Sequence, residues 1–157
     1  MTWFEGFTRH TTEVNGQTVC YRSGGKLGAP VLVLLHGFPQ THVMWHRVAQ
    51  RLQHHFFLVL PDLRGYGDSS HHLGGPDHSH HSKRAMASDV VGLLDALGVK
   101  AFHLSGHDRG GRVAYRLALD HPDRVLRLSA CSTSRPRWTC TTPPTWPLPR
   151  PITTGSI

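Results

Sequence analysis

Apolar residues along this chain fall first in short unbroken runs and then at helical spacing. Val31 to Leu35, after Pro30, and Phe56 to Leu60, ending at Pro61, are continuous apolar runs, the pattern of strands buried on both faces of a parallel sheet. Ahead of them, Thr11 to Val14 and Gln17 to Tyr21 flank Asn15-Gly16, the dipeptide that best tolerates the positive φ angles of a two-residue hairpin turn. Between the two apolar runs Val43, Trp45, Val48 and Leu52 fall on or near one helix face, with Thr41 as N-cap. A second helix is predicted from Lys83 to Leu97, with Met86, Val90, Leu94 and Leu97 spaced by three and four, Ser82 as its cap and Gly98 after its end. Ala101 to Ser105 then reads as a strand, Arg109 to Asp120 as a helix stopped by Pro122, and Val125 to Ala130 as a further strand. A hairpin followed by alternating strands and helices means an α/β fold with a doubly wound, mostly parallel sheet, broken off after about the sixth strand.

From Cys131 onward the pattern stops. Residues 131–157 hold six of the eleven prolines, seven threonines and no periodicity, so they supply neither a core helix nor a central strand. The division expected is an ordered part at 1–130 and a disordered, non-native tail at 131–157. Charge and cysteines narrow the function classes. The net charge is +7, but Arg135, Arg137 and Arg150 lie in a tail without an acidic residue, and no basic stripe or aromatic platform of a nucleic-acid binder is present. Neither a membrane-length apolar run of roughly 18 residues nor a signal peptide is visible. Three scattered cysteines make no disulfide framework and no metal signature, so the chain reads as soluble and cytoplasmic. His71, His72, His78, His80 and His81 cluster around Gly74, Gly75 and Pro76, which describes a solvated loop better than a rigid metal site.

The strongest chemical signal is Ser105-Gly106-His107-Asp108-Arg109-Gly110-Gly111, between an apolar strand and an amphipathic helix. A nucleophile on a tight strand-to-helix turn needs small residues two before and two after it, and Gly106 and Gly110 meet that demand around Asp108. The plainer alternative is an aspartate capping an ordinary helix. Two further motifs favour the turn. His36-Gly37-Phe38-Pro39 follows the first buried strand, where a backbone N–H can join the one after the nucleophile in an oxyanion hole, and Asp62-Leu63-Arg64-Gly65-Tyr66-Gly67-Asp68-Ser69 follows the next. His36 itself also suits a packed loop histidine.

With His36 to Ala49, Asp62 to Ser69, Lys83-Arg84-Ala85-Met86-Ala87 and Gly106 to Arg112 in hand, the chain resembles the haloacetate and fluoroacetate dehalogenases of the α/β-hydrolase fold, over about Gly16 to Ala130. Epoxide hydrolases and haloalkane dehalogenases share that architecture but carry tryptophan directly after the nucleophile, where this chain has Arg109. The resemblance implies Asp108 as nucleophile, Phe38 and Arg109 backbone N–H groups as oxyanion hole, and Arg109 and Arg112 as clamps on the carboxylate of a small haloacetate-like anion. Forked cationic donors at a helix start suit such an anion. A surface charge at Arg112 and an ion pair with a neighbouring acid at Arg109 are the bland alternatives. The chemistry implied requires no metal or organic cofactor and no nucleic acid or membrane partner, and leaves a homodimer open for full-length members.

In that family the triad acid and histidine come after the nucleophile, yet no Asp, Glu or His occurs after Ala130. A chain of 157 residues is also short for this fold, which usually reaches about 200 or more. The genetic code suggests a cause. Read one base early, Trp138-Thr139 must encode aspartate, Cys131 to Arg137 can encode Leu-Asp-Ile-x-Pro-Thr, and Pro151 to Ser156 can encode Tyr-Tyr-His-Trp-Phe, segments the family has at these places. The expectation is a frameshift near Ala130, leaving an inactive truncated fragment that exposes apolar surface on the strands beginning at Val31, Phe57, Ala101 and Val125; the competing account is a genuine Pro/Thr-rich extension. The coding sequence decides between them: the alternative frame should spell these segments without a stop codon, and an interrupted frame would leave the extension.

Overall fold

A computed structural model describes residues 3–71 and 81–131. The histidine-rich stretch at 72–80 and the tail at 132–157, with the expectations attached to them, lie outside the described residues. Strands β1 (Phe7–Val14) and β2 (Gln17–Gly25) form the expected hairpin, and Asn15 and Gly16 take φ of 53° and 70° at its turn. The strands run longer than the sequence suggested because β2 is not an edge: Tyr21 to Gly25 pair antiparallel with Pro61 to Phe57 on its other side. Next come β3 (Val31–Leu35), a 3-10 turn (His42–Trp45), α1 (His46–Leu52), β4 (Phe57–Pro61), α2 (Lys83–Ala96), β5 (Phe102–His107), α3 (Arg109–Asp120) and β6 (Val125–Cys131).

The sheet order is β1-β2-β4-β3-β5-β6, with β4, β3, β5 and β6 parallel. The chain leaves β3 toward β4 on one side and returns to β5 on the other. The loops after β3 and β5 therefore diverge at the C-terminal edge of the sheet, where open α/β sheets form their binding crevices.

The apolar runs are buried on both faces, as their lack of alternation required. Leu32, Leu34, Leu58 and Leu60 pack with Phe4, Phe7 and Ala49 on one side. Val33, Leu35, Val59, Phe102 and Leu104 pack against Met86, Val90, Leu94, Val113 and Leu117 of α2 and α3 on the other. The expectation of bare apolar strands is thus corrected for the strands at Val31, Phe57 and Phe102, which the described helices and the Phe4 to Phe7 segment cover. Exposure remains at Leu126 of β6 (45%) and at Tyr115 (57%) and Leu119 (55%) of α3. Among the described residues no helix is long and apolar enough to cross a membrane.

The first helix also departs from its pattern. Thr41 caps it as expected, accepting from the Val43 N–H at 3.4 Å, but the first turn is 3-10. Asp62 draws in both the backbone N–H (2.7 Å) and the ring Nδ1 (2.8 Å) of His42, tightening that turn. Three residues per turn in place of 3.6 rotates the remainder of the helix about its axis. Val48 ends 37% exposed, and Ala49 takes the buried position. Helix α2 keeps its signals: Ser82 Oγ accepts from the Ala85 N–H at 3.1 Å, and Gly98 has φ 70° beyond its end.

A buried bidentate ion pair ties α2 to the loop after β4. Arg64 Nε and Nη2 donate to the two oxygens of Asp89 at 2.8 and 2.7 Å, with side chains 8% and 5% exposed. Arg64→Met leaves a carboxylate unpaired in the core and is expected to destabilise the fold by about 3–5 kcal/mol in chemical denaturation, whereas a change under about 1 kcal/mol would mean that water reaches Asp89.

Candidate active site

Asp108 stands where β5 turns into α3, with φ 49° and ψ −112°. A non-glycine residue there is strained by about 1–3 kcal/mol, and the surroundings must over-determine it. They do. The Asp108 N–H donates to the Cys131 carbonyl at 2.6 Å, and the Arg112 N–H donates to the Asp108 carbonyl at 3.2 Å. A Cβ on Gly106 would fall on the Gly110 carbonyl, and one on Gly110 on the Leu35 and His36 carbonyls. Glycine is required at both places, as the sequence pattern indicated. Gly37 meets the same demand, since a Cβ there would lie 2.8 Å from Asp108 Cβ.

This close approach carries the loop after β3 onto the aspartate. The Phe38 N–H donates to Asp108 Oδ2 at 3.1 Å. The Phe38 hydrogen bond is the main reason the Asp108 carboxyl lies below the usual aspartate range; the Arg109 N–H and the Arg112 charge act in the same direction, against partial burial. Both backbone donors named from the sequence thus converge on Asp108, and Arg112, exposed on α3, acts on it through its charge.

Arg109 is half-buried, its guanidinium 5.3 Å from the centroid of the Phe38 ring and 5.9 Å from that of Tyr66. Among the described residues neither Arg109 nor Arg112 pairs with an acidic side chain, so the ion-pair alternative for Arg109 does not hold there. The Lys83 ammonium is pushed below its ordinary value, first by burial and then by Arg109 and Arg112. Neither Lys83 nor Tyr66 had a role from sequence reasoning, although both stand inside the motifs that carry the resemblance.

Beneath the site His36 is a packed histidine. It is fully buried, its Nε2 accepts from the Leu63 N–H at 2.9 Å, and Nδ1–H then donates to the Gly37 carbonyl at 3.0 Å. Burial lowers its pKa and keeps the ring neutral. Asp62 is also buried, which raises its carboxyl, but the ring and backbone of His42 outweigh that and leave it low. Arg22 Nε–H donates to His42 Nε2 at 3.1 Å, so Nδ1–H of His42 faces Asp62. Cys20, Asp62 and Asp68 lie within 4.8 Å of one another, with Arg9 as the local cation, 2.8 Å from Asp68.

A lowered carboxyl pKa has a defined sign. The stabilisation of charged Asp108 by its donors is fully present above the ordinary aspartate value and is lost as pH falls through the folded-state value. Carbonyl-detected NMR should place the Asp108 midpoint below about 3.9. A midpoint at or above that value would mean that the Phe38 N–H does not engage the carboxylate in solution.

Comparison with known proteins fits this geometry. The α/β hydrolase fold family matches residues 30–153. A fluoroacetate dehalogenase of Burkholderia sp is 53% identical over 126 residues, which are 80% of this chain and 41% of that protein. A soluble epoxide hydrolase of Corynebacterium sp. (strain C12) is 43% identical over 121 residues, 77% of this chain and 40% of that one. Among solved structures, a protein of Nostoc sp PCC 7120 grouped with the α/β hydrolases superposes with a TM-score of 0.76 at 47% identity, covering 79% of this chain and 42% of that one. The chain therefore spans about two fifths of the length of these relatives. With its strand order, its glycine-bounded turn and this match over most of its length, the chain belongs to the α/β hydrolase fold family.

Proposed function

We propose that Asp108 is the nucleophile of a haloacetate dehalogenase-type site, on the turn called a nucleophile elbow. The observation that carries this reading is the approach of the Phe38 N–H to Asp108 Oδ2 beside two arginines of one helix start. In the first step an oxygen of the Asp108 carboxylate attacks the carbon bearing the halogen. The new C–O bond forms as the C–halogen bond breaks, the halide departs with the bonding electrons, and an ester joins substrate to enzyme. The substrate carboxylate is met by the guanidinium groups of Arg109 and Arg112, whose forked donors match its two oxygens.

In the second step water attacks the ester carbonyl while a base takes its proton. The Phe38 and Arg109 N–H groups that hold the ground-state carboxylate then hold the developing oxyanion. Hydrolysis regenerates Asp108 and releases a 2-hydroxy acid. No acidic residue or histidine occurs after Ala130 in this chain, so the reading for the 157-residue protein stops at the ester. The fluoroacetate dehalogenase relative supports the halide reaction. The epoxide hydrolase relative keeps a second reading, in which the same carboxylate opens an epoxide. Arg109 favours the first, because an epoxide offers its guanidinium no carboxylate.

Incubation of the chain with chloroacetate, followed by peptide mass mapping, should give one persistent adduct on Asp108 without sustained chloride release. Asp108→Asn should abolish it, and Arg112→Ala should raise the chloroacetate concentration required by roughly 10- to 100-fold, the loss expected for a charged hydrogen bond. An adduct on another side chain would refute the nucleophile, and continued chloride release would refute the arrest at the ester.

A further inference from the structure

We propose that the rings of Phe38 and Tyr66 form a cradle that holds the Arg109 guanidinium in place as a carboxylate-recognising group, so that selection of anionic substrates depends on two uncharged side chains. This rests on the dehalogenase-type reading of Asp108 and names what would make that site choose an anion.

The two rings meet edge to face, centroids 6.4 Å apart and planes at 79°, and the guanidinium lies over both, at 5.3 and 5.9 Å. Tyr66 is itself edge-on to the ring of His36, centroids 5.2 Å apart at 71°. His36 is fully buried and hydrogen-bonded at both nitrogens, so the cradle is anchored to a rigid point. Phe38, by contrast, is 59% exposed beside the candidate site. An exposed aromatic ring there contributes little to the core.

An acidic partner would fix an arginine by occupying its forked N–H edge and cancelling its charge. Aromatic faces attract the guanidinium through its π face and leave both charge and donor edge available. Among the described residues Arg109 has the rings and no acidic partner. A guanidinium already ordered loses less rotamer freedom when a carboxylate arrives. The neighbouring Arg112 is exposed on α3, and among the described residues it is Arg109 of the two that lies over rings.

The test compares alkylation of Asp108 by bromoacetate and by its neutral counterpart bromoacetamide, quantified by peptide mapping at Asp108 alone, in the 157-residue chain. Wild type should prefer the anion. Phe38→Leu and Tyr66→Leu should cut that preference by roughly 3- to 30-fold, the range of a cation–π contact, while Tyr66→Phe, which keeps the ring face, retains it. Because Tyr66 also touches the core, the exposed Phe38 decides if Tyr66→Leu fails to fold. A preference unchanged in Phe38→Leu, lost equally in Tyr66→Phe, or absent in wild type overturns the cradle. If wild type is alkylated at Asp108 by neither reagent, the nucleophile reading fails, and the Arg109 Nε–H NMR resonance decides the cradle: ring-shifted in wild type and displaced in both leucine variants if it exists, unmoved if it does not.

Discussion

At Gly110 the backbone of α3 lies so close to the Leu35 and His36 carbonyls that nothing larger than a hydrogen fits between them. That contact sets the geometry of the site. It presses the start of α3 against the end of β3, which forces the chain through Asp108 at φ 49° and brings the loop at Gly37 within touching distance of its side chain. Only then does the Phe38 N–H reach the carboxylate. A methyl group at any of the three glycines would move a backbone element, and a shift of even about 1 Å would lengthen a 3.1 Å hydrogen bond beyond use. The strain at Asp108 is held by backbone bonds from both flanking elements, β6 through Cys131 and α3 through Arg112.

The loops that supply the donors are fixed in turn by polar groups in the core. His36 bridges the loop after β3 to Leu63 after β4, and Asp62 gathers His42 and the Asp68 N–H, the last at 3.3 Å. Buried polar groups cost free energy unless partnered, and these partner one another across segments far apart in sequence. Arg64 then fastens the same loop to α2 through Asp89. The end of β3 is thereby framed on one side by these hydrogen bonds together with the apolar packing of Leu63 and Tyr66.

Legibility in the sequence tracks the range of the interactions. Helix α3 begins and ends where the glycine pattern and Pro122 indicated, and α2 where Ser82 and Gly98 did, because caps and periodicity are local. The first helix differs from its pattern in the opening turn because its distortion comes from Asp62, twenty residues away. The same holds at the site. Asp108 and Phe38 stand out as candidates through motifs beside strand ends, and Arg109 and Arg112 through the family resemblance those motifs carry. Tyr66 and Lys83 acquire meaning only when β4, β3 and β5 lie side by side and α2 lies against α3, and no spacing along the chain encodes that.

The grouping of charge bears on the proposed chemistry. If a carboxylate is to attack the carbon next to another carboxylate, two like charges must come nearly into contact. At about 4 Å their repulsion is about 4 kcal/mol at the effective dielectric of a protein surface. Asp108 stands near Arg112, and Arg109 and Arg112 both act on Lys83, so among the described residues three cations accompany this aspartate. On that reading the excess would turn the approach of an anion from repulsion into attraction, while a neutral epoxide would gain nothing from it. A low carboxyl pKa, set first by the Phe38 N–H, makes Asp108 a weaker nucleophile in isolation but keeps it fully ionised, and on the proposed reading the nearby cations compensate by concentrating the anionic substrate. On the proposed dehalogenase-type reading this electrostatic setting suits a small acid better than a neutral ether, as the donor edge of Arg109 does, and the Lys83 and Arg112 charges would keep part of that preference even without the Arg109 edge.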